Sequence, residues 1–175
     1  MKSQNFFIKF FHNSLFFFYL SLFMIHIIHI SDGHKHFGEA IKEYEKRLGK
    51  QILIHTIKPI KHTESTFIKN KETEKILEKL AKIPGKIFLC DERGEHMNTK
   101  NFSNCIQKLY NKSENIIFVI GGSYGFDVEK IQEKYCVQLL KFSDMIFPHS
   151  LAFLILMEQI YRSFEIMKGS NYHHE

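Results

Sequence analysis

Apolar positions in this chain recur with the period of strands in some segments and with that of helices in others. Residues 24–31 are rich in Ile and end at the turn residues Asp32 and Gly33, which predicts a first strand. Apolar residues at helical spacing then predict an amphipathic helix over residues 35–48, ended by Gly49. Further strands are predicted at 51–57, 86–90, 115–120 and 137–142, and further helices around 76–81 and at 99–110, 127–135 and 151–167. Residues 58–71 are polar and predict a surface loop.

The alternation of strands with helices determines the predicted fold class. Short apolar strands separated by helices are typical of an α/β domain whose mainly parallel sheet carries helices on both faces. The last predicted helix, residues 151–167, is apolar around most of its circumference, and Glu158, Arg162 and Glu165 form its one polar stripe. Because one sheet face would not cover so much apolar surface, we expect this helix to contribute to a dimer interface.

The N-terminal segment has two interpretations. Residues 15–30 are nearly all apolar and follow Lys2 and Lys9, as in a signal peptide or a membrane anchor. The run is marginal for a spanning helix, and it lacks a cleavage site with small residues. We therefore interpret residues 1–23 as an extension outside the fold and residues 24–175 as the folded domain. A targeting leader or an anchor within residues 6–30 stays open as the alternative.

Composition narrows the functional classes only slightly. Lys and Arg outnumber Asp and Glu by 24 to 19, a net charge of +5 that modestly favours polyanionic partners but also fits an ordinary solvated surface. The three cysteines have no paired spacing, which indicates a reducing, cytoplasmic compartment. The eleven histidines lack carboxylates or thiols at metal-site spacing, so no metal is expected.

Chemistry-bearing residues follow three of the predicted strands, in residues 91–95, 121–125 and 143–149. Ligands gather at the carboxyl ends of parallel strands, so these segments are the candidate site. The glycines at 121, 122 and 125 permit either close approach to a ligand or a tight turn, but their spacing matches neither a dinucleotide motif nor a phosphate loop. His149 follows Pro148 at the start of the last helix, where its charge state could be tuned or where it could simply bond to the local backbone.

Taken in order, several segments resemble one known family. They are residues 43–48, 90–94, 120–125, 142–149 and 158–162 together with the ending 172–174, and the chain resembles the ribosomal RNA large subunit methyltransferase H family over nearly all of residues 24–175. The resemblance implies a homodimer of the SPOUT class with a C-terminal trefoil knot. It also implies transfer of a methyl group from S-adenosylmethionine to N3 of a pseudouridine in 23S ribosomal RNA.

The resemblance also implies which residues form the site. The cofactor-binding residues would be Cys90, where the family more often has Leu, Gly121, Phe142, Ser143, Asp144, Met145, Ile146 and Phe147, mostly through their backbones. We expect Arg162 to orient the target and stabilise developing negative charge. His149, or a C-terminal tail with Tyr172 and His173, would handle the proton and grip RNA.

Two other interpretations stay open from the sequence. The chain could be an α/β dimer that binds structured RNA without catalysing a reaction, and Arg162 could simply pair with Glu158 or Glu165 on its own helix. Two local departures from the family pattern affect expected RNA contacts. Glu95 stands where a Lys commonly follows the glycine, and Ile30 and Ser31 replace a Gly-Lys pair.

Overall fold

A computed structural model describes residues 23–34, 36–170 and 172, and these form a five-stranded sheet flanked by helices. The strand order is β2-β1-β4-β3-β5, and every neighbouring pair is parallel. The strands are β1 (Ile25–Ile30), β2 (Ile52–Ile57), β3 (Lys86–His96), β4 (Ile116–Ile120) and β5 (Val137–Lys141). The helices are α1 (Gly38–Leu48), α2 (Ser65–Leu80), α3 (Thr99–Asn111), α4 (Val128–Gln132) and α5 (His149–Met167).

The central strands are apolar on both faces because helices cover both faces of the sheet. All five residues of β4 are buried, and β4 lies between β1 and β3 in parallel register, with Ile116 opposite both Ile25 and Lys86. Strand residues therefore divide between two hydrophobic clusters, one on each side of the sheet. The predicted α/β architecture is confirmed.

Each face of the sheet packs against its own set of helices. On one face, Phe88 and Phe118 pack with residues of α1, α3 and α5, among them Ile41, Ile106 and Phe153. On the other face, the apolar residues of α2 and α4 cover the side chains of the strands that point away from the first cluster. The helix residues include Ile76, Leu80, Val128 and Ile131, and the strand residues include Ile28, Leu89 and Val119.

The structure corrects the predicted loop over residues 58–71, because α2 begins at Ser65. The first turns of α2 are exposed except at Ile68, so their sequence is polar and resembles a loop. Two other elements differ in length. The helix predicted over residues 127–135 is capped by the Asp127 carboxylate and ends at Gln132. Strand β3 continues six residues past Cys90 to His96.

The described residues begin at Phe23, whose ring packs edge-on against Tyr110 with ring centroids 5.0 Å apart. Phe23 is buried in the same cluster as Ile25, so the packing begins one residue before the predicted domain start. The rest of the predicted extension, residues 1–22, lies outside the described residues. Within the part of the chain that is described, no helix combines the length and apolar character that crossing a membrane requires.

Candidate functional site

The carboxyl ends of β3, β4 and β5 surround a cavity of about 900 Å³. Its walls come from residues 90–93 within β3, from the chain just after β4 and β5, and from the start of α5, because parallel strands point in the same direction and bring these segments to one edge of the sheet. Seven of the eight predicted cofactor-binding residues line it: Cys90, Gly121, Phe142, Ser143, Met145, Ile146 and Phe147. The structure therefore brings three segments that are far apart in sequence into one site.

The glycine turn, residues 121–125, forms the wall after β4. A side chain at Gly121 would meet the backbone of Gly125 at 2.9 Å, and one at Gly122 would meet Oε2 of Glu72 at 2.8 Å. The turn closes on itself, since the amide of Gly125 donates to the carbonyl of Gly122 at 3.0 Å. These glycines thus allow the turn to fold tightly against α2, whereas the sequence left open whether they serve the turn or a ligand.

The loop between β5 and α5 forms the opposite wall. The Ser143 hydroxyl accepts the amide of Met145 at 3.0 Å, which sets the direction of the loop. Asp144 is the predicted cofactor residue that does not line the cavity, because its carboxylate turns outward to an ion pair with Lys141 at 2.6 Å. Met145 and Ile146 are 73% and 80% exposed, so large apolar side chains stand open at the cavity rim.

The third wall is formed by residues 90–93 of β3, and it has an apolar part and a charged part. Burial raises the pKa of the Cys90 thiol, so Cys90 contributes a neutral surface. Beyond it, the Arg93 guanidinium holds both oxygens of Asp91 at 2.8 and 3.1 Å, and this bond lowers the pKa of the Asp91 carboxyl. Gly94 then allows β3 to touch β5, because an added Cβ would lie 2.6 Å from the amide nitrogen of Leu140.

His149 is the predicted catalytic residue that the structure places at the cavity, as the first residue of α5. Two further imidazoles, His29 and His34, lie close enough to interact with it electrostatically. Burial lowers the pKa of His29 to about 4, and its ring stacks on Phe153 with centroids 4.4 Å apart. His29 is therefore neutral at physiological pH and belongs to the packing beneath the site.

Arg162 and Tyr172 lie elsewhere in the same subunit. Arg162 is thirteen residues after His149 on α5, which is about 20 Å along a helix. Its guanidinium donates to Oε1 of Glu158 at 2.6 Å and covers the ring of Tyr172 at 4.8 Å. Desolvation raises the pKa of Tyr172 to about 12, so its hydroxyl keeps its proton at neutral pH. His173, the remaining predicted residue, lies outside the described residues.

Sequence reasoning missed Glu72 and Lys69 on α2. Lys69 lines the cavity, and Glu72 is buried behind Gly122. Glu72 lies two turns before Leu80 on the same side of α2, and this spacing is the one signal in the sequence that points to it. Because the polar pattern predicts a loop up to residue 71, the sequence does not predict that Glu72 is buried. Within the described residues, no group of three or more His, Cys, Asp or Glu side chains is placed to hold a metal ion.

Comparison with known families assigns the chain to a class of methyltransferases. The family model described as "Predicted SPOUT methyltransferase" matches residues 23–173, and the chain belongs to this family. Curated relatives named ribosomal RNA large subunit methyltransferase H narrow the assignment. One from Caldicellulosiruptor bescii is 36% identical over 86% of this chain and 99% of its own length, and one from Mycoplasmopsis pulmonis is 35% identical over 85% and 98%. Within the SPOUT class, the chain is thus a member of the methyltransferase H family.

Solved structures share the fold at low sequence identity. A probable methyltransferase from Bordetella pertussis aligns with a TM-score of 0.53 at 7% identity, covering 83% of this chain and 96% of that one. A probable methylase family protein from Haemophilus influenzae aligns with a TM-score of 0.51 at 12% identity, covering 89% and 72%. These alignments support the arrangement of strands and helices.

Proposed function

We propose that this methyltransferase transfers the methyl group of S-adenosylmethionine to N3 of a pseudouridine in 23S ribosomal RNA. The observation that carries the proposal is the cavity at the ends of β3, β4 and β5, which collects the residues that the family resemblance assigns to the cofactor. The relatives' names support ribosomal RNA as the substrate. A chain with unpaired thiols acting on ribosomes would work in the cytoplasm.

The chain's own residues fit an adenosine-bearing sulfonium. The cavity volume of about 900 Å³ falls in the range of small-molecule sites. Met145, Ile146 and Phe147 offer apolar surface for the faces of an adenine, and the neighbouring loop backbone offers amides and carbonyls for its edge. When bound, the cofactor would supply a methyl group on a positively charged sulfur, ready for in-line attack.

We propose that the C-terminal half contains a trefoil knot, as the family resemblance implies. The match of residues 23–173 to the SPOUT family model supports it. The pairing of β3 with β5 in this half is irregular: Cys90 pairs with Leu140, the chain bulges out, and Glu95 then pairs with Leu140 again. Gly94 is the residue that permits this second approach to β5. Such a doubled contact is an unusual path for a parallel strand, and knotted chains are rare among folds.

A homodimer would resolve the separation of the proposed catalytic residues. His149 lines the cavity, whereas Arg162 lies about 20 Å away along the same helix, too far to act together with it in one subunit. Tyr172 follows the end of this helix and contacts Arg162. A two-fold axis beside α5 would carry Arg162 of one subunit toward the cavity of its partner. The exposed side chains of Met145 and Ile146 support an interface at this rim, since large apolar side chains gain by being covered.

We propose different roles for His149 and Arg162 in the reaction. The N3 proton of the target must leave before or as the new carbon–nitrogen bond forms, and an imidazole is well suited to receive it at neutral pH. We assign this role to His149, because the raised pKa of Tyr172 makes that hydroxyl a hydrogen-bond donor rather than a base. Arg162, whose pKa is raised by its bond to Glu158, would remain charged and face the developing negative charge.

RNA would approach across the same edge of the sheet. A second cavity of about 560 Å³ lies at the carboxyl ends of β1 and β2, and Lys58 and Lys61 line it with exposed side chains. Lys69 and Arg93 line the first cavity, so basic residues continue along this edge. Phosphates of a stem-loop are the natural ligands for such a row.

Replacing both Lys58 and Lys61 with Gln should therefore weaken RNA binding. The slope of log affinity against log salt concentration should become less steep by about one for each lost phosphate contact. The measurement is RNA affinity by filter binding over a series of salt concentrations. Changing Lys108 and Lys112 to Gln gives the control, because the C-terminal end of α3 precedes β4 and thus lies at the opposite edge. Equal losses in the two double variants would place RNA elsewhere.

The activity itself is tested by incubating the purified protein with labelled S-adenosylmethionine and ribosomes from cells that lack this gene. We expect label in one nucleotide of 23S RNA, identified by mass spectrometry as N3-methylpseudouridine. Label at another nucleotide would correct the target. Binding of RNA with neither label transfer nor affinity for S-adenosylmethionine would instead show a binding protein without catalysis.

A further inference from the structure

Glu72 is the most unusual charged residue in the described part of the chain. It is only 2% exposed, and it lies on α2 behind the glycine turn. Its Oε1 accepts the amide of Ile60 at 3.0 Å, but its Oε2 is buried without a hydrogen-bond partner among the described residues. A buried carboxylate oxygen without a partner is costly, so its retention calls for an explanation.

The position of Glu72 relates it to the cavity. Oε2 would lie 2.8 Å from a Cβ on Gly122, and Gly122 itself lines the cavity. The next residue, Thr73, is fully buried and accepts the amide of Asp127 at 2.9 Å through its hydroxyl. The two neighbouring side chains thus support the glycine turn near both of its ends, and they fix the carboxyl just behind the cavity wall.

The charges around Glu72 do not neutralise it by direct contact. Burial raises the pKa of its carboxyl, while the Ile60 amide, Lys75 on α2 and His149 on α5 act in the opposite direction. His149 also faces the imidazoles of His29 and His34. Within the described residues Glu72 forms no ion pair at bonding distance, so when ionised its free oxygen presents a negative potential behind Gly122 that Lys75 and His149 offset only from a distance.

We propose that Glu72 determines specificity for charge in the cavity, favouring a cationic sulfonium cofactor over its neutral thioether product. This inference rests on the proposed function, because it takes S-adenosylmethionine to be the occupant. Glu72 acts through the electric field across the glycine turn and does not touch the reacting atoms.

The charge on the cofactor's sulfur changes during methyl transfer, so the field of Glu72 would act differently on the substrate and on the product. In the proposed reaction the carbon–sulfur bond breaks, its electron pair stays on sulfur, the methyl group bonds to N3, and the N3 proton passes to the imidazole of His149. The sulfur thereby loses its positive charge and becomes the thioether of S-adenosylhomocysteine. A fixed carboxylate behind the wall would stabilise the bound substrate more than the bound product, which favours product release.

Calorimetry of the full chain with three probes tests the proposal. S-adenosylmethionine and S-adenosylhomocysteine differ in the charged sulfur, and sinefungin carries an amine in its place. The wild-type protein is compared with Glu72→Gln, which keeps the shape of the side chain and an acceptor for Ile60. The control is Glu74→Gln on the same helix, where the carboxylate is 43% exposed and paired with Lys71.

In Glu72→Gln we expect the preference for S-adenosylmethionine over S-adenosylhomocysteine to fall about tenfold, with sinefungin weakened in parallel to S-adenosylmethionine. Glu74→Gln should keep the wild-type preference. A merely structural role would weaken all three probes alike, and that result, or an unchanged preference, would overturn the proposal. Failure of the wild-type protein to bind any of the three would instead refute the proposed function.

A second measurement uses the wild-type protein alone and so does not depend on folding of the variant. Because the folded pKa of Glu72 is raised, part of its carboxyl is protonated at a higher pH than in an ordinary glutamate, and a nearby cation should expel that proton. Titrations in buffers of different ionisation enthalpy, repeated at pH values stepped down from neutral, report the protons released. We expect S-adenosylmethionine to release more protons than S-adenosylhomocysteine, and equal release would contradict the proposal.

Discussion

Replacing Gly121 with Ala is expected to weaken S-adenosylmethionine binding by between about tenfold and a hundredfold, the range that overpacking of a tight site produces. The added Cβ would lie 2.9 Å from Cα of Gly125 and 3.0 Å from the ring of Phe126. The Gly125 contact is backbone and cannot rotate away, so the turn must open and the cavity wall must move. Isothermal titration with S-adenosylmethionine measures the loss.

A matched substitution separates this effect from a general cost of removing a glycine. Gly38 begins α1, and a Cβ there would meet nothing within 4 Å. Gly38→Ala should therefore leave cofactor affinity unchanged and should stabilise the helix slightly. If Gly121→Ala bound the cofactor as tightly as Gly38→Ala does, the glycine turn would not form the binding wall.

Replacing Arg162 with Ala is expected to lower the rate of methyl transfer by about a hundredfold to a thousandfold, while affinity for S-adenosylmethionine stays near that of the wild type. The guanidinium lies far from the cavity of its own subunit, so its loss should not disturb the cofactor walls. Its expected work is to stabilise negative charge that develops on the target base at the partner's cavity. Single-turnover transfer to ribosomes measures the rate, and calorimetry measures the affinity.

The control for this prediction is Arg47→Ala. Arg47 pairs with Glu43 on the exposed side of α1, and its guanidinium also lies over the ring of Tyr161 at 5.4 Å. It therefore shares the environment of Arg162 without the proposed role, and we expect nearly normal transfer from this variant. Normal transfer by Arg162→Ala, or an equal defect in both variants, would remove Arg162 from the catalytic residues.

The separation of Arg162 from the cavity also makes a dimer testable by mixing. Two impaired proteins, Arg162→Ala and Gly121→Ala, are mixed at a cofactor concentration that leaves the Gly121→Ala cavity largely empty. They should regain part of the activity when they exchange subunits, because one cavity in the mixed dimer then has both an intact wall and an intact arginine. The recovered fraction cannot exceed about a quarter of wild-type activity if subunits mix at random and one cavity in each mixed dimer works. No recovery despite demonstrated exchange would argue for catalysis within one subunit.

The order and type of most elements could be predicted from periodicity, because the way each element packs determines the spacing of its apolar residues. β4 is buried along its whole length, so its sequence is a continuous apolar run, and the residues of α5 that the core buries, among them Phe153, Leu156 and Ile160, recur at helical spacing. The start of α2 was missed for the opposite reason. Its first turns face solvent, and a polar helix without an apolar stripe is not distinguished from a loop by pattern.

The candidate site could be predicted only in part. The three segments are each local in sequence, and the parallel arrangement brings them to one edge, so seven of the eight residues that the resemblance assigns to the cofactor line one cavity. Asp144 points away because Lys141 competes for its carboxylate, a choice that depends on the fold. The burial of Glu72 behind the cavity wall could not be predicted from the sequence, because it depends on contacts with Gly122 and Ile60, which are distant in sequence.

The central claim is that the cavity between the glycine turn and the loop after β5 holds S-adenosylmethionine. A crystal structure of the protein grown with S-adenosylhomocysteine tests it most directly. The account predicts the adenine against Met145, Ile146 and Phe147, with the glycine turn on its other side. Ligand bound at another surface, with this cavity filled only by solvent, would contradict it.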